Sequence, residues 1–249
     1  MAAGTLYVVA TPIGNLEDVS ERALGTLREA DLIAAEDTRR TGKLLAHYGI
    51  DKSITSYHDA IEKRRAPQLV ELLRAGRSVA LVSDAGTPLV SDPGYRLVRA
   101  ALDAGVPVVP IPGASAATAL LSVSGFATDR FVFEGFLPQR EGRRRRRLEA
   151  LKTELRTVVL YESPHHIERT LGEIAEIVGE REVVVGRELT KVFEEIMRGP
   201  LSAVRAEIAA KAPRGEYTVA LAGAGEPEDQ WPATGHQGSS AQGASPESK

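Results

Sequence analysis

The segment SVALVSDAGTPLVSDPG, residues 78–94, decides the fold class of this chain. Its apolar beginning, 78–83, predicts a buried strand, and the Gly, Pro and Asp residues that follow predict a loop. A helical pattern then covers 94–104. The apolar runs TLYVVA, DLIAAE and VPVVPI are followed by similar loops, and helical patterns cover 21–30 and 38–48. This alternation of strand, loop and helix predicts an α/β domain with a mainly parallel sheet.

The second half of the chain carries five further apolar runs, RFVFEGF, TVVLYE, EVVVGREL, FEEIMRG and YTVALAG, with helical patterns at 142–155, 165–178 and 201–211. No helical pattern separates the two runs around 187–198, which predicts a mixed sheet. The two halves meet near 111–115. We therefore predict two α/β domains, 1–112 and 113–225. After residue 225 the chain is rich in Gly, Ser, Pro, Gln and Glu, and we predict a disordered tail over 226–249.

The composition bounds the class of protein. The 249 residues are 43% hydrophobic and 26% charged, with a formal net charge of -3 and no cysteine. This composition fits a globular protein of the reducing cytoplasm and excludes disulfides and thiolate zinc sites. The uncharged stretch 104–128 is interrupted by Pro107, Pro110 and Pro112, which argues against a membrane span. We expect a cytoplasmic protein that does not bind membranes.

The segment EGRRRRRLEAL, residues 141–151, concentrates positive charge in an otherwise acidic chain. Residues 139–156 include eight basic and three acidic side chains. A solvated helix face is one interpretation of such a run. Repulsion between adjacent arginines disfavours that helix unless anions are nearby, so the backbone of RNA or DNA is the other interpretation.

Four loops rich in Gly, Pro and small polar residues follow the strands of the first half: ATPIGNLED, AEDTRRTGK, VSDAGTPLVSDPG and PIPGASA. Each alone is typical of a tight turn or helix cap. Ligands of open α/β sheets bind at the carboxyl ends of the strands, so four such loops predict a binding cleft. The chain has neither a G-x-G-x-x-G motif nor a Gly-Lys-Ser/Thr phosphate loop, which favours a small zwitterion or nucleoside as ligand. Its five histidines form no metal-binding spacing, and we expect no metal.

These loops also carry a resemblance. ATPIGNLEDV, AEDTRRTGKLL, SDAGTPLVSDPG, PGASA, GFLP, YESPHH and RELTKVFEE, in this order between about residues 5 and 225, resemble the ribosomal RNA small-subunit methyltransferase I family, a branch of the tetrapyrrole methylase superfamily. The resemblance implies two α/β domains with S-adenosylmethionine held in the cleft between them. It implies the ribose 2′-hydroxyl of a cytidine in 16S rRNA as methyl acceptor, and a homodimer. The chain departs from the family pattern at Arg40 and His166, where histidine and arginine are common.

The resemblance also implies roles for individual residues. The residues matched to cofactor binding are Pro12, Gly14, Asp84, Ala85, Gly86, Thr87, Pro88, Gly113, Ser115, Ala116, Tyr161 and Glu162. With RNA as the substrate, the basic side chains of the arginine run and of two loops are the RNA contacts that we expect, namely Arg39, Arg40, Arg143, Arg144, Arg145, Arg146, Arg147 and Arg187.

The group that takes the proton from the ribose hydroxyl is left open among Glu36, Asp37, Glu188 and Lys191. We place Lys191 or Asp37 near the hydroxyl. A lysine is a base only when neutral, which requires a lowered pKa. A salt-bridged structural corner is the competing interpretation of this cluster.

Two other functions compete with rRNA methylation. A methyltransferase acting on tetrapyrroles would share the cofactor but would have no evident use for the arginine run. A non-catalytic RNA-binding factor for ribosome assembly would bind RNA without transferring a methyl group.

Overall fold

The computed structural model describes residues 3–211 and 213–225, so the tail predicted over 226–249 lies outside the described residues. In the described part, two five-stranded sheets follow one another along the chain. No helix in these ranges is long and apolar enough to cross a membrane. In the same ranges no group of three or more His, Asp or Glu side chains is placed to hold a metal ion.

The first sheet is wholly parallel, in the order β3-β2-β4-β1-β5. Its strands are β1 (Leu6–Val9), β2 (Leu32–Ala35), β3 (Ile54–Ser56), β4 (Val79–Val82) and β5 (Val108–Ile111). The connecting helices are α1 (Glu21–Glu29), α2 (Thr38–His47), α3 (Glu62–Arg74) and α4 (Tyr95–Asp103). The parallel sheet predicted from the four apolar runs is confirmed; β3 and α3 were not predicted.

Burial explains why these strands are continuous apolar runs. All four residues of β4 are buried, because helices cover both faces of the sheet. On one face Leu81 packs in a cluster with Leu69 and Leu97, which belong to α3 and α4. On the other face Val82 packs in a cluster with Leu27 of α1. The parallel arrangement brings the loops after β1, β2, β4 and β5 to one edge.

The second sheet is mixed, in the order β6-β7-β10-β8-β9. Its strands are β6 (Phe131–Phe136), β7 (Thr157–Glu162), β8 (Glu182–Arg187), β9 (Glu195–Pro200) and β10 (Tyr217–Leu221). Its helices are α5 (Ala116–Ser124), α6 (Glu141–Leu151), α7 (Ile167–Ile177) and α8 (Leu201–Ala210). β6 pairs with β7 in parallel, whereas the pairs β7–β10, β10–β8 and β8–β9 are antiparallel, which confirms the predicted mixed sheet.

The chain passes from the first sheet to the second between β5 and α5. Leu120 and Leu121 of α5 pack with Val159 of β7 and Val184 of β8 on one face of the second sheet. Ile13, from the loop after β1, joins the same cluster. The boundary predicted between residues 112 and 113 falls in this connection, and the division into two domains remains a prediction.

Candidate functional site

Two loops at the carboxyl edge of the first sheet are joined by backbone hydrogen bonds. The Thr11 amide donates to the Gly86 carbonyl over 2.9 Å, and the Gly86 amide donates to the Thr11 carbonyl over 3.0 Å. Gly86 has a φ of +83°, which a side chain would disfavour. The Thr11 hydroxyl also donates to the Ser83 carbonyl over 3.2 Å. The loops after β1 and β4 therefore form one wall.

The other two loops lie against this wall. A Cβ atom at Gly113 would stand 3.0 Å from the Ala10 Cβ, so the loop after β5 approaches β1 closely. On the other side, the Asp37 amide donates to Asp84 Oδ1 over 2.9 Å, and the Asp84 amide donates to Glu36 Oε2 over 3.3 Å. The loop after β2 is thereby attached to the loop after β4.

A cavity of about 380 Å³ opens between the two sheets. It brings together seven of the predicted cofactor residues, which are Ala85, Gly86, Thr87, Ser115, Ala116, Tyr161 and Glu162. Its wall includes further residues that the sequence patterns did not single out: Ile13, Val90, Phe136, Ser163, Pro164, Leu189, Glu216, Tyr217 and Thr218. We call it the first cavity. Its volume lies within the range of about 300 to 1,000 Å³ that is usual for small-molecule sites.

Polar groups of both halves of the chain line the first cavity. The Tyr161 hydroxyl accepts a hydrogen bond from the Ala117 amide at the start of α5, over 3.3 Å. Burial raises the pKa of Tyr161, so its hydroxyl stays protonated. Ser115 is at the N-cap position of α5, but its side chain makes no capping hydrogen bond. The buried Ser163 hydroxyl has no hydrogen-bond partner among the described residues. A polar ligand would satisfy it.

Glu162 has both carboxylate oxygens engaged within the protein. The side chain accepts a hydrogen bond from the Ser163 amide over 2.8 Å and another from the Thr170 hydroxyl over 2.6 Å. Glu162 is only 7% exposed. Its carboxylate therefore fixes the turn after β7 at the cavity wall.

A second cavity, of about 310 Å³, adjoins the first. It is lined by Pro12, Gly14 and Asp84, predicted as cofactor residues, and by Arg40, predicted as an RNA contact. Other lining residues were not predicted: Thr11, Leu16, Thr41, Lys43, Leu44 and Ser83. Four residues border both cavities, namely Ile13, Ala85, Lys191 and Glu216. Pro88 and Gly113, also predicted as cofactor residues, line neither cavity.

Lys191 is held by two carboxylates at this shared border. Its Nζ atom donates to Glu188 Oε1 over 2.8 Å and to Glu216 Oε2 over 2.9 Å. Burial alone would lower the pKa of Lys191, but the hydrogen bonds to Glu188 and Glu216 outweigh it and the pKa is raised. Lys191 is therefore an ammonium ion at neutral pH, whereas the predicted role as a base requires a lowered pKa.

The other three candidate bases, Glu36, Asp37 and Glu188, line neither cavity. Asp37 caps α2 by accepting the Arg39 amide over 2.8 Å, and it also pairs with the Arg39 guanidinium over 2.9 Å. Hydrogen bonds from the Arg39 side chain and backbone lower the pKa of Asp37 to about 2, which makes this carboxylate a weak proton acceptor. Burial raises the pKa of Glu36.

The loop after β4 contains two acidic side chains, Asp84 and Asp92, that lie close to Glu36. Burial, and then the charge of Glu36, raises the pKa of Asp92 to about 7. The nearby Asp84 charge acts in the same direction. The charges of Glu36 and Asp84 disfavour the ionisation of Asp92, and a cation in the neighbouring cavity would relieve that repulsion.

Backbone strain in the described residues is confined to two loops beside the cavities. Residues other than glycine have positive φ angles at Leu89 (73°), Ser91 (69°), Glu188 (50°) and Thr190 (67°). The first pair lies in the loop after β4, and the second pair lies in the loop between β8 and β9. Strained conformations of this kind persist where the surrounding structure enforces them, which is common at functional sites.

Three of the five consecutive arginines form ion pairs within the protein. Arg144 is 3% exposed, and its guanidinium is paired with Glu173, including one contact of 2.7 Å. Arg145 pairs with Glu176 over 2.6 Å, and Arg147 pairs with Glu134. The buried Arg144 stabilises the packing of α6 on α7 and is not accessible to RNA in this conformation.

The other predicted RNA contacts differ in their partners. Arg143 and Arg146 are exposed, and neither forms an ion pair with any residue of the described ranges. Arg39 is 87% exposed beside Asp37. Arg187 pairs with Glu195 over 3.1 Å, and its Nε atom is buried with no hydrogen-bond partner among the described residues. Arg143 and Arg146 are thus the members of the run whose charge is free for an external anion.

Comparisons with known proteins show the family of this chain. Residues 5–205 match the family of tetrapyrrole (corrin/porphyrin) methylases. The chain is 50% identical to the ribosomal RNA small subunit methyltransferase I of Thermotoga maritima over 88% of this chain and 99% of that protein. It is 51% identical to the protein of the same name from Synechocystis sp. over 91% of this chain and 81% of that protein.

Solved structures show the same fold. The methyltransferase CobJ superposes with a TM-score of 0.67 at 20% identity, covering 89% of this chain and 95% of CobJ. Uroporphyrin-III C-methyl transferase from Thermus thermophilus, solved in complex with S-adenyl homocysteine, superposes with a TM-score of 0.62 at 21% identity. That match covers 87% of this chain and 97% of the other.

Proposed function

The chain belongs to the ribosomal RNA small subunit methyltransferase I family, within the tetrapyrrole methylases, and from this premise we propose that it transfers a methyl group from S-adenosylmethionine to the ribose 2′-hydroxyl of a cytidine in 16S rRNA. The family supports methyl transfer, and the relatives' names support ribosomal RNA as the substrate. The cytidine and its 2′-hydroxyl come from the motif resemblance alone. The same proposal locates the enzyme in the cytoplasm and makes it a homodimer.

The first cavity is the observation that carries the proposal. Residues far apart in the sequence, from the loops after β4, β5 and β7, line one space of about 380 Å³. The unpartnered Ser163 hydroxyl and the protonated Tyr161 hydroxyl offer hydrogen bonds to a polar ligand there. The apolar Ile13 and Leu189 exclude water. A compact ligand with polar and apolar parts, such as S-adenosylmethionine, fits these groups.

When bound, S-adenosylmethionine supplies a methyl group on a positively charged sulfur. Asp84, next to Ala85 of the first cavity wall, places a carboxylate near that cavity, and its negative charge favours a cationic ligand over its neutral product. The rigid wall formed by the Thr11 and Gly86 backbones holds the ligand in a fixed orientation. The protein thus contributes mainly positioning and desolvation.

The proton of the ribose hydroxyl has to leave as the new O–CH₃ bond forms. Of the four predicted candidates, Lys191 borders both cavities, and its raised pKa suits a charged group that orients the hydroxyl. We propose that the Glu216 carboxylate, which is 67% exposed at the same border, accepts the proton of the ribose hydroxyl. Glu188 then has a positioning role, because it holds both the Lys191 ammonium and the Glu216 amide.

A methyl-transfer assay tests the proposed function. The purified protein is incubated with methyl-labelled S-adenosylmethionine and with small ribosomal subunits, or their RNA, from cells that lack this methyltransferase. We expect label in the RNA, located by nuclease mapping at the 2′-oxygen of one cytidine. In a parallel incubation with a tetrapyrrole in place of the RNA, label on the tetrapyrrole and none on RNA would support the other methyltransferase class. RNA binding without any transfer would support the non-catalytic assembly factor, and either result would overturn the proposal.

A further inference from the structure

We infer that the second cavity binds the acceptor nucleotide of the RNA, with its phosphate on Lys43 and Arg40. This inference rests on the proposed function and adds a binding site to it. The cavity has a volume of about 310 Å³, and the charged side chains in its wall are the cations Arg40, Lys43 and Lys191 and the carboxylates Asp84 and Glu216. Arginine and lysine side chains bind the phosphates of a nucleic acid.

One face of α2 supplies the positive charge. Arg40, Lys43 and Leu44 all line the cavity. Their spacing of three and four residues places them on the same side of the helix. Arg39, which precedes them, does not line the cavity and is paired with Asp37 at the helix start. Of the three basic residues in AEDTRRTGK, Arg40 and Lys43 therefore line the cavity, whereas Arg39 lies on the outer surface.

Of the two α2 cations that line the second cavity, Lys43 is the one whose charge is not paired within the described residues. It makes no ion pair or side-chain hydrogen bond within the described ranges, although it borders a concave site. Arg40 lies 3.6 Å from Asp84, and its side chain is 62% exposed. A pair this long and exposed is weak, so the Arg40 guanidinium is free to turn towards a phosphate. Two adjacent cations without strong internal partners match one phosphodiester group.

The second cavity lies next to the first, as transfer between two bound substrates requires. Ile13, Ala85, Lys191 and Glu216 border both cavities. A nucleotide whose phosphate contacts α2 would place its ribose towards this border. The ribose hydroxyl would then meet the methyl group held in the first cavity. Both substrates could bind at once, as direct transfer between them requires.

Charge variants of the two basic residues test the inference. Lys43→Gln and Arg40→Gln keep much of the side-chain length and remove the charge, and Lys63→Gln on α3 is the matched control because Lys63 is exposed and lines neither cavity. We measure the affinity for S-adenosylmethionine by calorimetry, the affinity for unmethylated 16S rRNA against salt concentration, and the KM and kcat of methyl transfer.

We expect Lys43→Gln and Arg40→Gln each to raise the Kd and KM for RNA roughly tenfold, while the control changes neither. The slope of log affinity against log salt should become shallower by about 0.7 to 0.9 for each phosphate that the variant no longer neutralises. The affinity for S-adenosylmethionine should stay within about twofold of the wild type, because neither residue lines the first cavity. A tenfold change in that affinity would correspond to about 1.4 kcal/mol.

Two results would overturn the inference while leaving the proposed function intact. One is an RNA affinity and salt slope that both variants leave unchanged although the wild type methylates RNA. The other is a weakened affinity for S-adenosylmethionine, which would show that the second cavity belongs to the cofactor. If the wild type itself transfers no methyl group to RNA, the proposed function fails, whereas unchanged RNA binding by the variants separately rejects the nucleotide site.

Discussion

The Lys191 ammonium lies 2.9 Å from the Glu216 carboxylate at the border between the two cavities. The antiparallel pairing of β8 with β10 creates this contact, because Tyr217 is opposite Arg187 and the residues just beyond the paired strands are then close. The Glu188 amide donates to the Glu216 carbonyl over 2.9 Å at the same place. A cation and an acceptor oxygen are thus fixed where the two proposed substrates meet.

Removing the Glu216 charge should impair chemistry more than binding. We expect Glu216→Gln to lower kcat roughly 100-fold, which is typical of losing a proton acceptor. The variant also removes one anionic partner of Lys191, so the pKa of Lys191 falls. The loss of activity at alkaline pH should therefore begin at a lower pH than in the wild type. The measurement is kcat as a function of pH. Glu182→Gln, at the exposed start of β8, is the control. Wild-type kcat in Glu216→Gln would remove Glu216 from the mechanism.

The close approach at Gly14 should tolerate no side chain. A Cβ atom there would stand 2.4 Å from Lys191 Cγ and 2.9 Å from the Thr190 hydroxyl. Gly14→Ala should therefore displace the loop between β8 and β9 and reduce methyl transfer at least about tenfold, with circular dichroism unchanged. Gly25→Ala is the control, since nothing lies within 4 Å of its Cβ position. It should retain activity and gain up to about 1 kcal/mol of stability from helix propensity. Full activity of Gly14→Ala would show that the loop position is unimportant.

Asp92 should make the folded state less stable as the pH rises. Burial and the neighbouring Glu36 raise its pKa from 3.8 to about 7, so between these values the folded state binds a proton that the unfolded state has released. The free energy of unfolding therefore decreases with pH across this window through this group. Asp92→Asn should abolish that contribution and increase stability by roughly 2 kcal/mol at about pH 8. Urea denaturation at several pH values measures it. Equal pH dependence in variant and wild type would contradict the prediction.

The buried ion pair of α6 should matter for stability. Arg144→Met leaves the Glu173 carboxylate without its main partner in a largely buried position, and we expect the free energy of unfolding to fall by about 3 kcal/mol. Arg146→Gln, two positions further along the exposed side of the same helix, should change stability by less than about 0.5 kcal/mol. Urea unfolding curves compare the two variants. A small effect of Arg144→Met would show that Glu173 is readily solvated.

The exposed arginines of the run should act on RNA instead. Replacing Arg143 and Arg146 together by Gln should reduce the salt dependence of RNA binding by about 0.7 to 0.9 for each phosphate contacted. Filter binding to 16S rRNA at several salt concentrations measures the slope, with the Lys63→Gln protein as the reference. An unchanged slope would mean that this part of the helix is only a solvated surface.

The sequence predicted both sheets because their strands are long apolar runs with loops between them. It did not reveal β3, which has only three residues and is partly exposed on the edge of the sheet. It also did not reveal α3, whose helical pattern is interrupted by Pro67. Pro67 is the sixth of the 13 residues of this helix, beyond its first turn, so it removes the amide that would donate to the Lys63 carbonyl.

The site was predictable where its residues follow a strand directly. Ala85, Gly86 and Thr87 are next to β4, and their loop signals are local. Glu216 was not predictable, since its closeness to Lys191 depends on strand pairing over a separation of 25 residues. The burial of Arg144 was likewise hidden, because it depends on the packing of α6 against α7 and not on the composition of the run.

The hydrogen bonds between Thr11 and Gly86 have a thermodynamic consequence for ligand recognition. Because this wall is assembled during folding, little conformational entropy remains to be removed when a small molecule arrives. Association should consequently be fast. The change in heat capacity on binding should be close to the value expected from the apolar surface that the ligand buries. Within the described ranges, the loop between β8 and β9 has no comparable pair of backbone hydrogen bonds to the first sheet. Most of the adaptation to a bulky second substrate should therefore occur on that side.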